Sequence, residues 1–365
     1  MSEREIQRRD FLDASGWRGA EIAPLPGDAS TRSYARVRLG DRRAMLMDQP
    51  QAAEAPVAPA RATPEERRAL GYNAVARLAG ADTARFVAVS NYLRGLGLSA
   101  PEIHAADPNQ GFVLIEDLGD DLYANVLAAR STDERELYEA AAEVLAALHA
   151  VQAPAVLHPD KPLHAYDDTA LTAETDLMTQ WFLPLALQRE ASEEEIERHR
   201  ALWREALAAV DARAPVFVHR DYHAQNLIWL PERGGTARVG LIDFQDAVAG
   251  ARSYDLISLI EDARRDVAPE IAQCTTQRYL DVAGEDETAF RAQMAVMAAQ
   301  RNAKIAGIFA RLYKRDGKPR YLGYLPRVWG YLERDLEHPA LAPLKSWYDE
   351  TLPREVRGAV EGAAG

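Results

Sequence analysis

Cysteine is almost absent: Cys274 is alone among 365 residues, so neither an internal disulfide nor a cysteine-rich metal site can form. No apolar run approaches the ~18 residues of a membrane span, and the opening "MSEREIQRRDFLDASGW" has no apolar core of the kind a secretion signal carries. A cytoplasmic address is the expectation. Positive charge is in deficit too: Lys+Arg 43 against Asp+Glu 56 gives a formal charge of −13, which disfavours non-specific binding to nucleic acid or to an anionic membrane. A polyphosphate bound here has to be held by a metal ion and local groups against the global field. No feature marks an obligate protein partner. What is there is an ordinary globular composition, 47% hydrophobic and 27% charged. The length exceeds the ~100–200 residues typical of one domain and predicts two lobes.

Residues 48–68, "DQPQAAEAPVAPARATPEERR", hold four prolines among alanines and read as a loop or linker. Before it, "SYARVRL" (33–39) alternates apolar and polar residues, "GDRR" turns, and "AMLMD" (44–48) is a short apolar strand, which together predict a β-hairpin. After it, "DTARFVAVSNYLRGLGL" (82–98) starts at a capping Asp82, keeps Phe86, Val89, Leu93 and Leu96 on one face and ends at Gly97, predicting a helix. "GFVLIEDLGDD" (111–121) is a buried strand entering a polar turn. From 132 onward helical spacing dominates, except in 214–246, where "VFVH", "NLIWL" and "VGLIDF" are short apolar runs between turns. The fold class expected is α+β: a β-rich N-lobe over 1–116 containing the Pro/Ala-rich loop 49–68, a larger, mainly helical C-lobe over 117–353, and a tail over 354–365.

That exception carries the chemistry. In "FVHRDYHAQNLIWL", Asp221 and Asn226 lie five places apart in a loop, a spacing that lets both side chains face one cavity, and Asp243 follows the buried Leu241 and Ile242. Phosphoryl transfer needs a carboxylate to take the acceptor proton and oxygen ligands for Mg²⁺; Asp221 fits the first task, Asn226 and Asp243 the second. A lone His-Arg-Asp turn is more often structural than catalytic. The ordered combination is what favours a site.

The string "VHRDYHAQNLIW…VGLIDFQDAVAGARSYDLISL" resembles the aminoglycoside phosphotransferase/choline kinase superfamily. Further stretches, "PLPGDASTRSYARV", "ETDLMTQWFLP" and "QRNAKIAGIFARLYKRDGKPRYL", look like the bacterial N-acetylmuramate/N-acetylglucosamine anomeric kinases of cell-wall recycling. The resemblance spans about residues 10–335. It implies a bilobal protein-kinase-like fold and transfer from ATP, with Mg²⁺, to the 1-hydroxyl of an amino sugar, feeding recycling toward UDP-sugar precursors. By the same likeness Asp221 is the base, Asn226 and Asp243 hold Mg²⁺, and Glu116 to Leu118 form a hinge that meets adenine. His219 and Asp255 brace the loop.

The pattern departs from the family in the small lobe. The third strand, "RRAMLMDQP", has Met47 where a phosphate-binding lysine is expected, and helix 82–98 lacks the partner glutamate. Loss of both leaves no orphan charge. Ser30, Thr31 and Arg32 in "GDASTRSY" are the expected replacements, with Arg36 as a second choice for the cation. For the acceptor pocket the candidates are Glu174, Asp176, His223, Gln225, Asp246, Arg301 and Arg311, each with an ordinary structural alternative: capping for the acidic pair, packing for His223, a solvated basic stripe for Arg301, Lys304, Arg311 and Arg315. Competing readings are a kinase of choline, homoserine or an aminoglycoside, a catalytically silent kinase-like binding protein, and a metal-dependent hydrolase built on His219, Asp221 and His223.

Overall fold

The computed structural model describes residues 2–26, 32–50, 57–78, 82–157, 160–208, 210 and 215–358. Helix α1 (Glu3–Ala14) opens on a reciprocal cap between Ser2 and Glu5. Strands β1 (Glu21–Pro24), β2 (Ser33–Leu39) and β3 (Arg42–Asp48) follow, then α2 (Pro64–Leu70), α3 (Thr83–Gly95), β4 (Ile103–Asp107) and β5 (Phe112–Ile115). The strands form one antiparallel sheet in the order β1-β2-β3-β5-β4. Alternation along β2 and β3 sorts their side chains to two faces. Val37, Ala44 and Leu46 pack under α1 with Phe11, Leu12 and Trp17, whereas Met47 joins Phe86, Val89 and Leu93 of α3 in an apolar layer. Arg4 and Arg8 pin α1 by gripping Asp48 at 2.6 and 2.7 Å.

The structure corrects the reading of 49–68 as loop throughout. Thr63, Pro64 and Glu66 start α2 with a reciprocal cap, a signal present in "ATPEERR" but outweighed by the prolines before it. A single π turn, Asn73–Arg77, follows. This segment leaves the small lobe: Ala58, Ala74 and Leu78 belong to the large lobe's main buried core, and Arg67 binds Asp167 at 2.6 Å.

The large lobe comprises α4 (Tyr123–Ala129), α5 (Glu134–His149), β6 (Val156–Leu157), β7 (Lys161–Pro162), α6 (Asp168–Leu177), α7 (Leu183–Leu187), α8 (Glu193–Ala208), β8 (Val216–Val218), β9 (Leu227–Trp229), β10 (Val239–Leu241), β11 (Val248–Gly250), α9 (Ser253–Ile260), α10 (Pro269–Ala283), α11 (Glu287–Lys314), α12 (Leu325–Asp335), α13 (Ala342–Thr351) and α14 (Arg354–Arg357). The 28-residue α11 runs through its middle. Gly307 of α11 lies so close to α6 that a Cβ there would stand 2.5 Å from Leu177 Cβ. Two antiparallel pairs, β8 with β11 and β9 with β10, frame the loops of interest. Residue 357, at the start of the expected tail, is a buried arginine that donates to the Leu352 and Tyr348 carbonyls. Among the described residues no helix is long and apolar enough to cross a membrane.

Candidate active site

β8 delivers the chain into a loop, 219–226, that returns as β9. Asp255, at the first turn of α9, accepts the backbone N–H of His219 at 2.6 Å and of Arg220 at 2.9 Å. Burial pushes the Asp255 carboxyl up to about 7, against the pull of those two N–H groups. Arg220 holds φ 74 and Asp243 φ 61, left-handed conformations that cost about 1–3 kcal/mol each for non-glycine residues and persist where surroundings over-determine them. For Arg220 the surroundings are visible: its guanidinium donates to the carbonyls of Arg77 (2.8 Å) and Ala76 (3.1 Å) and to Glu174 (2.7 Å), and lies 4.7 Å over the Tyr166 ring.

Asn226 Nδ2 donates to the Asp221 carbonyl at 2.9 Å. With the amide nitrogen committed to the loop, its oxygen is left for the cleft. Asn226 and Asp243 both line a cavity of about 360 Å³ that runs to the segment joining the lobes and is floored by Met45, Ile115, Leu118, Ile228 and Ile242. Arg32 crosses this cleft from the small lobe and donates to Asp243 Oδ1 (2.7 Å) and Gln245 Oε1 (2.6 Å). Burial alone would raise the Asp243 carboxyl; the Arg32 guanidinium and the Gln245 amide hold it below the ordinary carboxylate range. A carboxylate with a cation already on it, beside an amide oxygen, is a hard-donor set that suits Mg²⁺.

Several expected residues lie elsewhere. Ser30 and Thr31 fall outside the described residues. Arg36 is engaged at the lobe junction, 2.7 Å from Asp117 and 2.8 Å from Asp120, because β2 points it along the cleft edge. Glu116 and Leu118 line the cavity, although the Glu116 carboxylate turns away to Arg233 at 2.6 Å. Glu174 is buried among Arg220, Lys304, Tyr166 and Gln300, and the two cations hold its pKa down against desolvation. It therefore braces the loop from behind and faces no cleft. Asp176 is bound to Arg200 at 3.0 Å, tying α6 to α8. Arg301 is buried, donating to the Glu261 carbonyl (3.1 Å) and Ser258 (2.9 Å), while Arg311 stacks 4.7 Å from Tyr72. Of the expected basic stripe, Arg301 is buried, Lys304 and Arg311 are half-buried, and Arg315 is exposed beside Asp316 at 2.7 Å.

His219 is fully buried between Tyr222 and Phe244. The His223 ring turns inward to the Gln225 N–H at 3.3 Å and is pushed down to about 4 by burial, so the two histidines do not converge as metal ligands. Gln225 is exposed. Asp246 meets Arg77 at 3.3 Å, which places this residue of the crossing segment beside the loop after Asp243. Reading the sequence missed Arg77, Arg85, Gln245 and Asp262. The last is buried; one oxygen takes the Arg264 N–H at 2.8 Å and the other has no hydrogen-bond partner among the described residues. The only sequence signal for Arg85 was a charge on the apolar side of α3, next to Phe86.

Comparisons with known proteins bear on the family and the fold. A model of the phosphotransferase enzyme family matches residues 21–292. A protein of Caulobacter vibrioides named N-acetylmuramate/N-acetylglucosamine kinase is 47% identical over 363 residues, covering 98% of this chain and 99% of that one. A Pseudomonas aeruginosa protein of the same name is 34% identical over 349 residues, covering 92% and 90%. Among solved structures, a choline/ethanolamine kinase family protein from Mesorhizobium loti superposes with TM-score 0.58 at 14% identity, over 94% of this chain and 98% of that one. The ADP-bound aminoglycoside phosphotransferase APH(2'')-Ib gives 0.55 at 14% identity, over 91% and 97%. These two likenesses show the two-lobed kinase-like fold.

Proposed function

We infer the reaction from the premise that the chain belongs to the phosphotransferase enzyme family. The reading is ATP-dependent phosphorylation of the anomeric 1-hydroxyl of N-acetylmuramate, N-acetylglucosamine or both, within peptidoglycan recycling toward UDP-sugar precursors. The sugars follow from the names of the relatives that match nearly the whole chain. The observation that carries the chemistry is Arg32 reaching across the cleft to Asp243, beside Asn226.

In this mechanism the acceptor hydroxyl lies against Asp221, which takes its proton as the oxygen bonds to the γ-phosphorus and ADP departs. Asn226 Oδ1 and the Asp243 carboxylate would hold Mg²⁺, which when bound neutralises the phosphate oxygens. Arg32 supplies the cation that Met47 cannot, exchanging Asp243 for phosphate oxygens when nucleotide enters. Asp255 and Arg220 keep the loop in its strained form throughout. Adenine fits the apolar slot between Met45, Leu118, Ile228 and Ile242.

The test incubates enzyme, ATP and Mg²⁺ with both amino sugars, choline, homoserine and an aminoglycoside, reading ADP release and reducing-end reactivity. ADP release with loss of reducing reactivity is expected for an amino sugar. Release with reducing reactivity intact places the phosphate on another hydroxyl, and turnover of choline alone sinks the sugar reading.

A further inference from the structure

The expected helix glutamate is absent from α3, and the helix instead carries Arg85, which is 3% exposed. Its Nε donates to the Gln245 carbonyl at 2.8 Å, one terminal nitrogen to the Ala247 carbonyl at 2.5 Å, and the other to the Pro162 carbonyl. All three acceptors belong to the large lobe. The next residue, Phe86, stacks on Phe244 with centroids 4.9 Å apart and planes 23° from parallel. Asp82, the cap of α3, pairs with Lys161 at 2.7 Å. A guanidinium with its three nitrogens bonded to carbonyls is a costly object to bury for packing alone, since methionine or leucine would fill the space without desolvating a charge.

The bonds lead somewhere particular. Arg85 fixes the main chain of Gln245, and the Gln245 amide donates in turn to Asp243 Oδ1 at 3.1 Å. Asp243 itself is in a left-handed conformation that needs outside restraint. We propose that Arg85 is a positioning residue for Asp243, locking α3 to residues 243–247 so that helix and carboxylate move as one body. Where a lysine–glutamate pair would connect the helix to the nucleotide, this chain connects it directly to the loop that carries Asp243. The helix is then assembled with the loop before nucleotide arrives. What Asp243 does with its position rests on the phosphotransferase reading; the mechanical coupling does not.

The test compares Arg85→Met and Arg85→Lys with Val89→Ala, a buried substitution on the same helix that leaves these bonds intact. In nucleotide-free protein, Arg85→Met should exchange the 243–248 backbone amides at least tenfold faster, with α11 unchanged, and Arg85→Lys should fall between. In turnover, Arg85→Met should need at least fivefold more Mg²⁺ for half-maximal rate, with the KM for the amino sugar within twofold. Val89→Ala should lose stability while leaving both readouts in place. Should Arg85→Met not fold, Arg85→Lys carries the comparison by itself. Exchange and Mg²⁺ requirement indistinguishable from Val89→Ala would overturn the proposal. Amide exchange reads the coupling whatever the acceptor is, so failure to find a sugar substrate would leave this result standing.

Discussion

Among the described residues, the Asp221 carboxylate has no hydrogen-bond partner, while its own carbonyl and its neighbours' backbone hold the loop. Replacing it with asparagine should therefore leave the melting temperature and ATP affinity close to the parent's and cut kcat by about 10²–10⁴, the usual worth of a positioned base; a fall of less than tenfold would remove Asp221 from the base role. Arg32 makes a different prediction. A charge-assisted contact is worth about 1.5–3 kcal/mol, so Arg32→Ala should weaken ATP binding by calorimetry about tenfold or more. Divalent cation alone should bind more tightly to that variant, since the guanidinium no longer occupies Asp243. That Asn226 and Asp243 share one cavity was legible in the sequence because one short segment carries both and the turns between them are local. Glu174 and Arg301 misled because a charge in a helical pattern shows nothing of what the other side of a fold presents to it. Both turned out to be buried partners of other residues.

At the scale of elements, strands with alternating residues and helices with a clear cap and apolar stripe were readable. α1 was not, since only Phe11 and Leu12 of its twelve residues are buried and the apolar period is missing. α2 was hidden by composition, prolines upstream outweighing a capping signal. The crossing of α11 over α6 depends on one missing methyl group. A Cβ at Gly307 would lie 2.5 Å from Leu177 Cβ and 2.6 Å from the Leu177 carbonyl carbon. Gly307→Ala should cost about 1–3 kcal/mol, measured by urea denaturation. Adding Leu177→Ala should not restore it, because the clash with backbone remains.

For the molecule as a whole, buried titratable groups pull stability in opposite directions with pH. His149 and His199 are pushed down to about 3 by burial, and His199 stays neutral to accept the Trp203 indole N–H at 2.9 Å. A depressed histidine gives its full contribution above the unfolded value near 6.5 and loses it as pH falls toward the folded value. Asp255, pushed up to about 7, does the reverse: its contribution is present below the unfolded value of 3.8 and is lost as pH rises through 7. Urea midpoints from pH 4.5 to 7.5 should therefore show the parent's advantage over His199→Gln growing with pH, and its advantage over Asp255→Asn shrinking. Slopes of the same sign would contradict the assignment. The two-lobed plan was visible in length and pattern; the traffic between lobes was not, because it consists of side chains meeting carbonyls far away in the chain.

That traffic has a geometric consequence. The main chain passes from the small lobe to the large one after β3, where residues 57–78 pack on the large lobe and present the Ala76 and Arg77 carbonyls to Arg220. It returns with α3 and leaves again through 116–122. The two carbonyls at the end of this excursion are the ones Arg220 holds, so a displacement of residues 57–78 is transmitted to the residue next to Asp221 without passing through the cleft.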